Sequence, residues 1–185
     1  MATALLEPPI RLPEFFEVVH GDIVEVAPMG FYAVEISNLL KEALDRYFAA
    51  HDLGRVRHEM LFQVPLPNDR TRNCRPDVAV ILYDRWPKAK PLSRKGNAID
   101  VVPNIAVEVI SPTDLAEAVT VKAMEYLDGG VQLVWQIYPE ARMLFAHRPG
   151  METRRVRADE DITADDILPG FRVRLADLLP EVAAE

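Results

Sequence analysis

The sequence predicts an α/β domain of the α+β kind: a mixed β-sheet flanked by helices, with an additional β-hairpin near each end. Three observations lead there. The elements through the middle of the chain run helix, three strands, helix, strand, an order that packs helices on a sheet. Two of those strands, in RPDVAVILY and NIAVEVI, are nearly continuous apolar runs, the mark of strands covered on both faces. The chain has 185 residues and is 49% hydrophobic, which suits one domain spanning 1–185 with its own core.

Each element has a local reason. FFEVV and IVEVA flank His20-Gly21-Asp22, turn residues between β-branched segments that read as a hairpin. Pro28, Met29 and Gly30 then break the strand. From Tyr32 to Ala50 the apolar residues Val34, Ile36, Leu39, Leu40, Ala43, Leu44, Tyr47 and Phe48 recur at helical spacing, and Gly54 reads as the stop. Arg55 to Leu66 alternates as a strand, and Pro67-Asn68-Asp69 forms a turn. Cys74 to Tyr83 is the next strand, and Trp86 to Asn97 is a basic, proline-containing loop. Ile105 to Ile110 is the third strand. Ser111-Pro112-Thr113-Asp114 opens a helix that Gly129-Gly130 ends after Asp128. Gln132 to Tyr138 and Met143 to Arg148 are strands, with Gly150 to Arg157 as a hairpin partner. LPGFRVRLADLLP reads as a strand followed by a helical turn.

Composition narrows the function classes. Cys74 is the single cysteine, so neither an internal disulfide nor a cysteine-based zinc site fits. MATALLEPPIRLPEFF lacks the basic start and long apolar run of a signal peptide. No stretch approaches the roughly 18 apolar residues of a membrane span. The expected location is the cytoplasm. The net charge of −8 argues against a strong general affinity for nucleic acid. The charge is uneven, however. Arg70, Arg72, Arg75, Arg85, Lys88, Lys90, Arg94 and Lys95 are opposed within their own stretch only by Asp77 and Asp84. That run reads either as a solvated loop or as a local contact to a phosphate backbone.

Two acids stand where apolar residues belong. Asp77 lies in RPDVAVILY and Glu108 in NIAVEVI. A buried carboxylate is strongly disfavoured unless it is paired, hydrogen-bonded or bound to a cation. Strand alternation puts Arg75, Asp77, Ala79 and Ile81 on one face, and Asn104, Ala106, Glu108 and Ile110 on one face. If these faces coincide, both carboxylates point into one space, with small Ala79 and Ala106 leaving room. On the following helix, Leu115, Ala118, Val119, Lys122 and Tyr126 form one stripe expected to face the sheet. Lys122 on that stripe either snorkels outward or reaches the acids. Two carboxylates sharing one or two Mg²⁺ (or Mn²⁺) ions beside a lysine suit phosphodiester hydrolysis. The lysine would orient or help deprotonate the water and offset developing charge. Read from the residues alone, a structural ion pair with Arg75 or Lys122 stays open.

RPDVAVIL, VEVISP, the helix lysine and EYLDGGVQLVWQIYPEAR, together with FFEVVHGDIVEVAP and LPGFRVRLADLL, resemble the Uma-type restriction endonuclease family of the PD-(D/E)XK nuclease superfamily. The resemblance spans most of the chain, in order. It implies a restriction-endonuclease-like fold and a metal-dependent endonuclease acting on DNA. Pro76-Asp77 matches the motif's PD, and Glu108 matches its second acid, so both are implied metal ligands. Ile110 stands where a lysine would follow, and Lys122 matches the lysine the family carries on the next helix. Glu17 matches a glutamate of the family's N-terminal hairpin and is carried as a further catalytic candidate. Tyr126 matches a common tyrosine. Two positions depart: Tyr32, with Glu35 one turn on, replaces a histidine at the start of the first long helix, and Ala118 replaces an acid one turn before the lysine.

Other residues read as structural. His20, His51, His58 and His147 lack ligand spacing, and Ser111 lacks the surroundings of a hydrolase nucleophile. Trp86 either anchors its loop or stacks on a base, and Trp135 belongs to the core. Gly129-Gly130 follows a helix instead of preceding one, so it is no phosphate loop. The alternative function is a nuclease-fold module that binds nucleic acid or protein without turnover. A homodimer is compatible with the nuclease reading, since two symmetric sites serve two strands.

Overall fold

The computed structural model describes residues 12–91 and 96–181. The first hairpin joins β1 (Phe16–Val19) to β2 (Asp22–Glu25). Val19 pairs with Asp22, and both intervening residues take positive φ, 51° at His20 and 88° at Gly21. This is the two-residue turn whose twist matches a hairpin. Helix α1 (Phe31–His51) buries Ile36, Leu40, Leu44, Tyr47 and Phe48, the stripe its spacing predicts. It ends at Asp52, which takes the left-handed conformation at φ 46° and donates its N–H to Phe48 O. The helix thus stops two residues before the Gly54 that the sequence predicts as its end.

Gly54 instead begins β3 (Gly54–His58). A Cβ there would lie 2.6 Å from Ile81 O, so the small residue serves close strand approach. The long alternating segment splits after β3, where Glu59 turns to φ 47°, and continues as β4 (Phe62–Gln63). The next predicted strand also divides. β5 (Asn73–Cys74) pairs with β1 and β4, while β6 (Val78–Leu82) pairs with β3. Pro76 stands between them and lacks the N–H a continuous ladder would need.

β7 (Ile105–Val109), α2 (Ala116–Asp128) and β8 (Leu133–Tyr138) form a parallel crossover. β9 (Met143–His147) and β10 (Arg154–Arg157) extend the sheet, and β11 (Asp161–Ala164) pairs with β12 (Leu168–Arg174) as the C-terminal hairpin. A short 3-10 turn follows at Leu175–Leu178. The main sheet runs β10-β9-β8-β7-β6-β3, and a second sheet runs β2-β1-β5-β4. The predicted mixed sheet flanked by helices is therefore what the chain forms.

Alternation along the central strands builds two apolar layers. Val78, Val80, Ile105, Val107 and Trp135 face α1 and the C-terminal hairpin. Ala79, Ile81, Ala106 and Val134 face Ala123 and Tyr126 of α2, together with Phe62, Val64 and Cys74 of the second sheet and its flank. Trp86 is 2% exposed and belongs to this second layer, with Arg55 and Arg57 over its ring. It anchors its loop. Among the described residues no helix is long and apolar enough to cross a membrane.

Gly54→Ala should destabilise the chain by about 1–3 kcal/mol, since a methyl there must displace backbone. Urea denaturation of the two proteins measures the difference.

Candidate active site

The register of β6 on β7 pairs Val78 with Val107 and Ala79 with Ala106. One step outward from Val78, Asp77 therefore stands at the level of Glu108, and the two predicted faces coincide. Asp77 Oδ2 accepts the Val109 N–H at 2.6 Å. Glu108 sits within the buried run of β7 and is 8% exposed. Its two oxygens have separate donors: Tyr126 OH reaches Oε1 at 2.7 Å, and Lys122 Nζ reaches Oε2 at 3.0 Å. Lys122 and Tyr126 are four residues apart on α2, so one helical face delivers both.

The N-terminal hairpin supplies the next member. Lys122 Nζ lies 3.2 Å from Glu17 Oε1. The same carboxylate accepts the Arg75 N–H at 3.0 Å and an Arg72 guanidinium N–H at 2.8 Å. Arg72 also donates to Glu125 Oε2 at 2.9 Å. A continuous ladder results, from Glu125 through Arg72, Glu17, Lys122 and Glu108 to Tyr126. It ties α2 to the second sheet and to β7.

Charge balance along the ladder is uneven. For Glu17, burial opposes ionisation, but Lys122, Arg72 and the Arg75 N–H overcome it and hold the carboxyl below its usual range. Glu108 is raised, because burial outweighs the help of Lys122 and Tyr126. Asp77 is raised well above the usual carboxylate range by burial and then by the neighbouring Glu108. Burial alone would lower the Lys122 ammonium, yet Glu108, Glu17 and Asp77 together raise it, so it stays charged. Ionisation is thus disfavoured at Asp77 and Glu108, where burial and neighbouring carboxylates outweigh the help of Lys122.

These groups open into a cavity of about 510 Å³ between the segment that leads into α1 and the segment that leads into α2. Asp77, Glu108 and Lys122 lie on its floor, with Gln136 beside them. Gln136 is paired in register with Glu108. Its Nε2 donates to Val119 O at 2.8 Å, and its Oε1 is 2.9 Å from His147 Nε2.

A family model described as "Putative restriction endonuclease", Uma2, matches residues 6–177. The chain belongs to this family. Among solved structures, a protein described as a putative nuclease belonging to DUF820, from Anabaena variabilis ATCC 29413, superimposes with a TM-score of 0.75 at 20% identity. The match covers 91% of this chain and 93% of that one, and it shows a shared fold. No curated protein matches.

Measured against the Uma2 expectations, the structure brings Asp77, Glu108, Lys122 and Glu17 to one place. Two residues had been undervalued. Arg72 was counted among loop cations, yet it is 5% exposed and bridges Glu17 and Glu125. Arg72 lies just before the two-residue β5, outside any strand whose alternation could reveal its burial. Tyr126 is fully buried and holds Glu108 directly. The α2 stripe behaves differently from expectation at its start. Leu115 is 75% exposed and Ala118 is exposed, while only Ala123 and Tyr126 are buried. Leu115, Ala118 and Val119 face the cavity in place of the sheet. Ser111 and Asp114 form a local turn, Ser111 N–H to Asp114 Oδ2 at 2.8 Å, and do not cap the helix.

The basic run is also dispersed. Arg85 donates to the carbonyls of Val102, Pro103 and Gly130. Lys88 pairs with Asp52, and Lys90 reaches Asp100 O. These residues follow the C-terminal end of β6, while Asp77 precedes its start, a strand length of roughly 16 Å away. Arg94 and Lys95 lie outside the described residues. Tyr32, at the helix-start position, donates its hydroxyl to Pro180 O.

Two outcomes test this electrostatic picture. Arg72→Ala removes the guanidinium that bridges the carboxylates of Glu17 and Glu125 and should cost about 3–5 kcal/mol in urea denaturation. Asp77→Asn keeps the acceptor for Val109 N–H but removes the charge. A raised carboxyl pKa gives stability that is full below the unfolded value of 3.8 and lost as pH rises through the folded value. In EDTA at pH 8, Asp77→Asn should therefore raise Tm by about 2–4 °C, the shift ~1 kcal/mol gives in a domain of this size. The gain should shrink as the pH is lowered toward 4.

Proposed function

We propose that this chain is a divalent-metal-dependent endonuclease that hydrolyses DNA phosphodiester bonds at Asp77, Glu108 and Lys122. The observation that supports it most is the charged lysine fixed between Glu17 and Glu108, beside Asp77, on the floor of a cavity large enough for a small ligand. Uma2 membership supplies the reaction class, and the description "Putative restriction endonuclease" points to DNA.

The donor set is compatible with Mg²⁺ or Mn²⁺. Among the described residues no group of three or more His, Cys, Asp or Glu side chains is arranged to hold an ion. Mg²⁺, however, commonly takes one or two carboxylates and completes its shell with waters and substrate oxygens. Asp77 and Glu108 fit that demand, and burial with neighbouring carboxylates disfavours ionisation at both, which an added cation would offset. When bound, the ion supplies Lewis-acid polarisation of the phosphodiester and acidifies the attacking water.

The chain's own groups do the rest. Lys122 is held as an ammonium by the acids around it, so in this reading it orients the water and offsets charge growing on the phosphoryl oxygens. It does not serve as a base. Glu17 is committed to Arg72, the Arg75 N–H and Lys122, which makes it the residue that positions the lysine. Tyr126, a phenol by burial and by the proximity of Glu108, fixes the Glu108 carboxylate on one oxygen. A second reading, a nuclease-fold module that binds without turnover, draws on the fact that both Glu108 oxygens already accept protein hydrogen bonds.

Supercoiled plasmid incubated with Mg²⁺ or Mn²⁺ separates the two. The nuclease nicks or linearises it, Glu108→Ala abolishes the cleavage, and Lys122→Met lowers the rate by about 10²–10³-fold. Binding of plasmid without cleavage by any variant selects the binding module. Mn²⁺ at about 100 times its Kd should also stabilise the native chain by about 2.7 kcal/mol, a gain that disappears in Asp77→Ala.

A further inference from the structure

The cavity above the carboxylates has two kinds of surface. Its floor carries Asp77, Glu108 and Lys122, and each of two sides carries an apolar patch. One side comes from the approach to α1: Phe15, Pro28, Met29 and Ala33. The other comes from the start of α2: Leu115, Ala118 and Val119. Leu115 is 75% exposed, and the sheet does not pack against this half of the helix. The apolar stripe of α2 therefore continues past the core and ends facing empty space within the cavity.

Cations are scarce around it. Among the described residues that line the cavity only Arg75 and Lys122 are basic, against Glu59, Asp77, Glu108 and Asp114. The Arg75 guanidinium is already spent on the carbonyls of Glu59 and Phe16. Duplex binding draws its affinity from many neutralised phosphates. Here Arg85, Lys88 and Lys90 lie at the opposite end of β6 and are engaged by the protein itself. Among the described residues lining the cavity there is no row of free cations for a long duplex footprint. A single nucleotide unit fits better: its phosphodiester meets the floor, and its flat, largely apolar base meets the walls, as bases do on stacking surfaces. A volume of about 510 Å³ lies within the about 300–1,000 Å³ usual for small-ligand pockets.

We propose that the cavity accepts an unpaired nucleotide, with the scissile phosphodiester at Asp77, Glu108 and Lys122 and the base between the Phe15–Met29 side and the Leu115–Ala118 side. This inference rests on the nuclease reading and specifies its substrate as single-stranded or locally unpaired nucleic acid. Specificity then comes from access: a base held in a stack cannot enter, so a fully paired linear duplex is a poor substrate, while a supercoiled plasmid offers transiently unpaired sites.

The test compares initial cleavage rates with Mn²⁺ on an end-labelled single-stranded oligonucleotide, the same strand in a blunt linear duplex, and that duplex with a central unpaired loop. The expected result is cleavage of the single strand and of the looped region at least tenfold faster than of the blunt duplex. Equal or faster cutting of the blunt duplex overturns the proposal while leaving the nuclease reading intact. Absence of cleavage on all three, with plasmid also uncut, overturns the nuclease reading and this proposal together. Ala118→Trp places an indole in the space assigned to the base, at an exposed helix position where folding is easily verified by a thermal melt. It should slow single-strand cleavage at least tenfold, and an unchanged rate overturns the assigned position of the base.

Discussion

Everything around the cavity follows from one constraint: Glu108 is a carboxylate inside a strand buried on both faces. Ile105, Ala106 and Val107 are inaccessible to solvent, and Glu108 is nearly so. In such surroundings an uncompensated charge is intolerable, and the chain compensates from two directions. Helix α2 brings Lys122 and Tyr126 on one face. The second sheet brings Glu17, which needs Arg72, which in turn binds Glu125 back on α2. The crossover helix and the N-terminal hairpin are thus locked to each other through the charges that accommodate one residue of β7. Ion pairs of this depth add little net stability compared with an apolar core, yet each becomes costly to break once formed. What the ladder fixes is position: it sets where Lys122 stands relative to Glu108 and Asp77.

The parts of this arrangement that were legible in the sequence are those carried by strong local patterns. Apolar runs exposed Asp77 and Glu108 as anomalies, and period-two alternation put them on matching faces. The 3.6-residue repeat placed Lys122 and Tyr126 on the right side of their helix. The parts that were not legible depend on contacts distant in sequence. Arg72 looks like any loop cation, because its partners are 55 residues earlier and 53 later. Gly54 looks like a helix terminator, because the backbone it approaches, Ile81 O, belongs to a strand not yet reached. A stripe of apolar residues on α2 reads as one buried face, and only the packing shows that its first turn overhangs a cavity. In each case the local signal was sound and the tertiary partner decided its meaning.

The ladder also divides the site into a dry end and a wet end, and the two obey different electrostatics. At the dry end Arg72 and Glu17 are each 5% exposed, and their opposite charges favour the ionised forms of both. At the wet end Asp77 meets Glu108 across one strand step at the cavity floor, and burial and like charge act together against ionisation. Lys122 joins the two ends, bonded to Glu17 on one side and Glu108 on the other. Its charge is secured by the dry end while its exposed fraction, 28% of the side chain, faces the cavity.

This polarity explains why Glu17 and Asp77, both acids within reach of the same lysine, have opposite assignments. A carboxylate whose oxygens are taken by the Arg72 guanidinium, the Arg75 backbone N–H and Lys122 has little left for a further cation, so in the proposed nuclease Glu17 would act through Lys122. Asp77 uses one oxygen on a backbone N–H and meets its nearest strong charge in another carboxylate, an arrangement that is unfavourable unless a cation or a proton arrives. A divalent cation would relieve Asp77 and Glu108 together, whereas a proton neutralises one carboxylate at a time. The unfavourable electrostatics the fold leaves at the cavity floor are what a bound divalent cation would offset in the proposed nuclease. In the proposed nuclease, neutralising Asp77 would stabilise the chain while removing a metal ligand, a separation of stability from function that a purely structural ion pair would not produce.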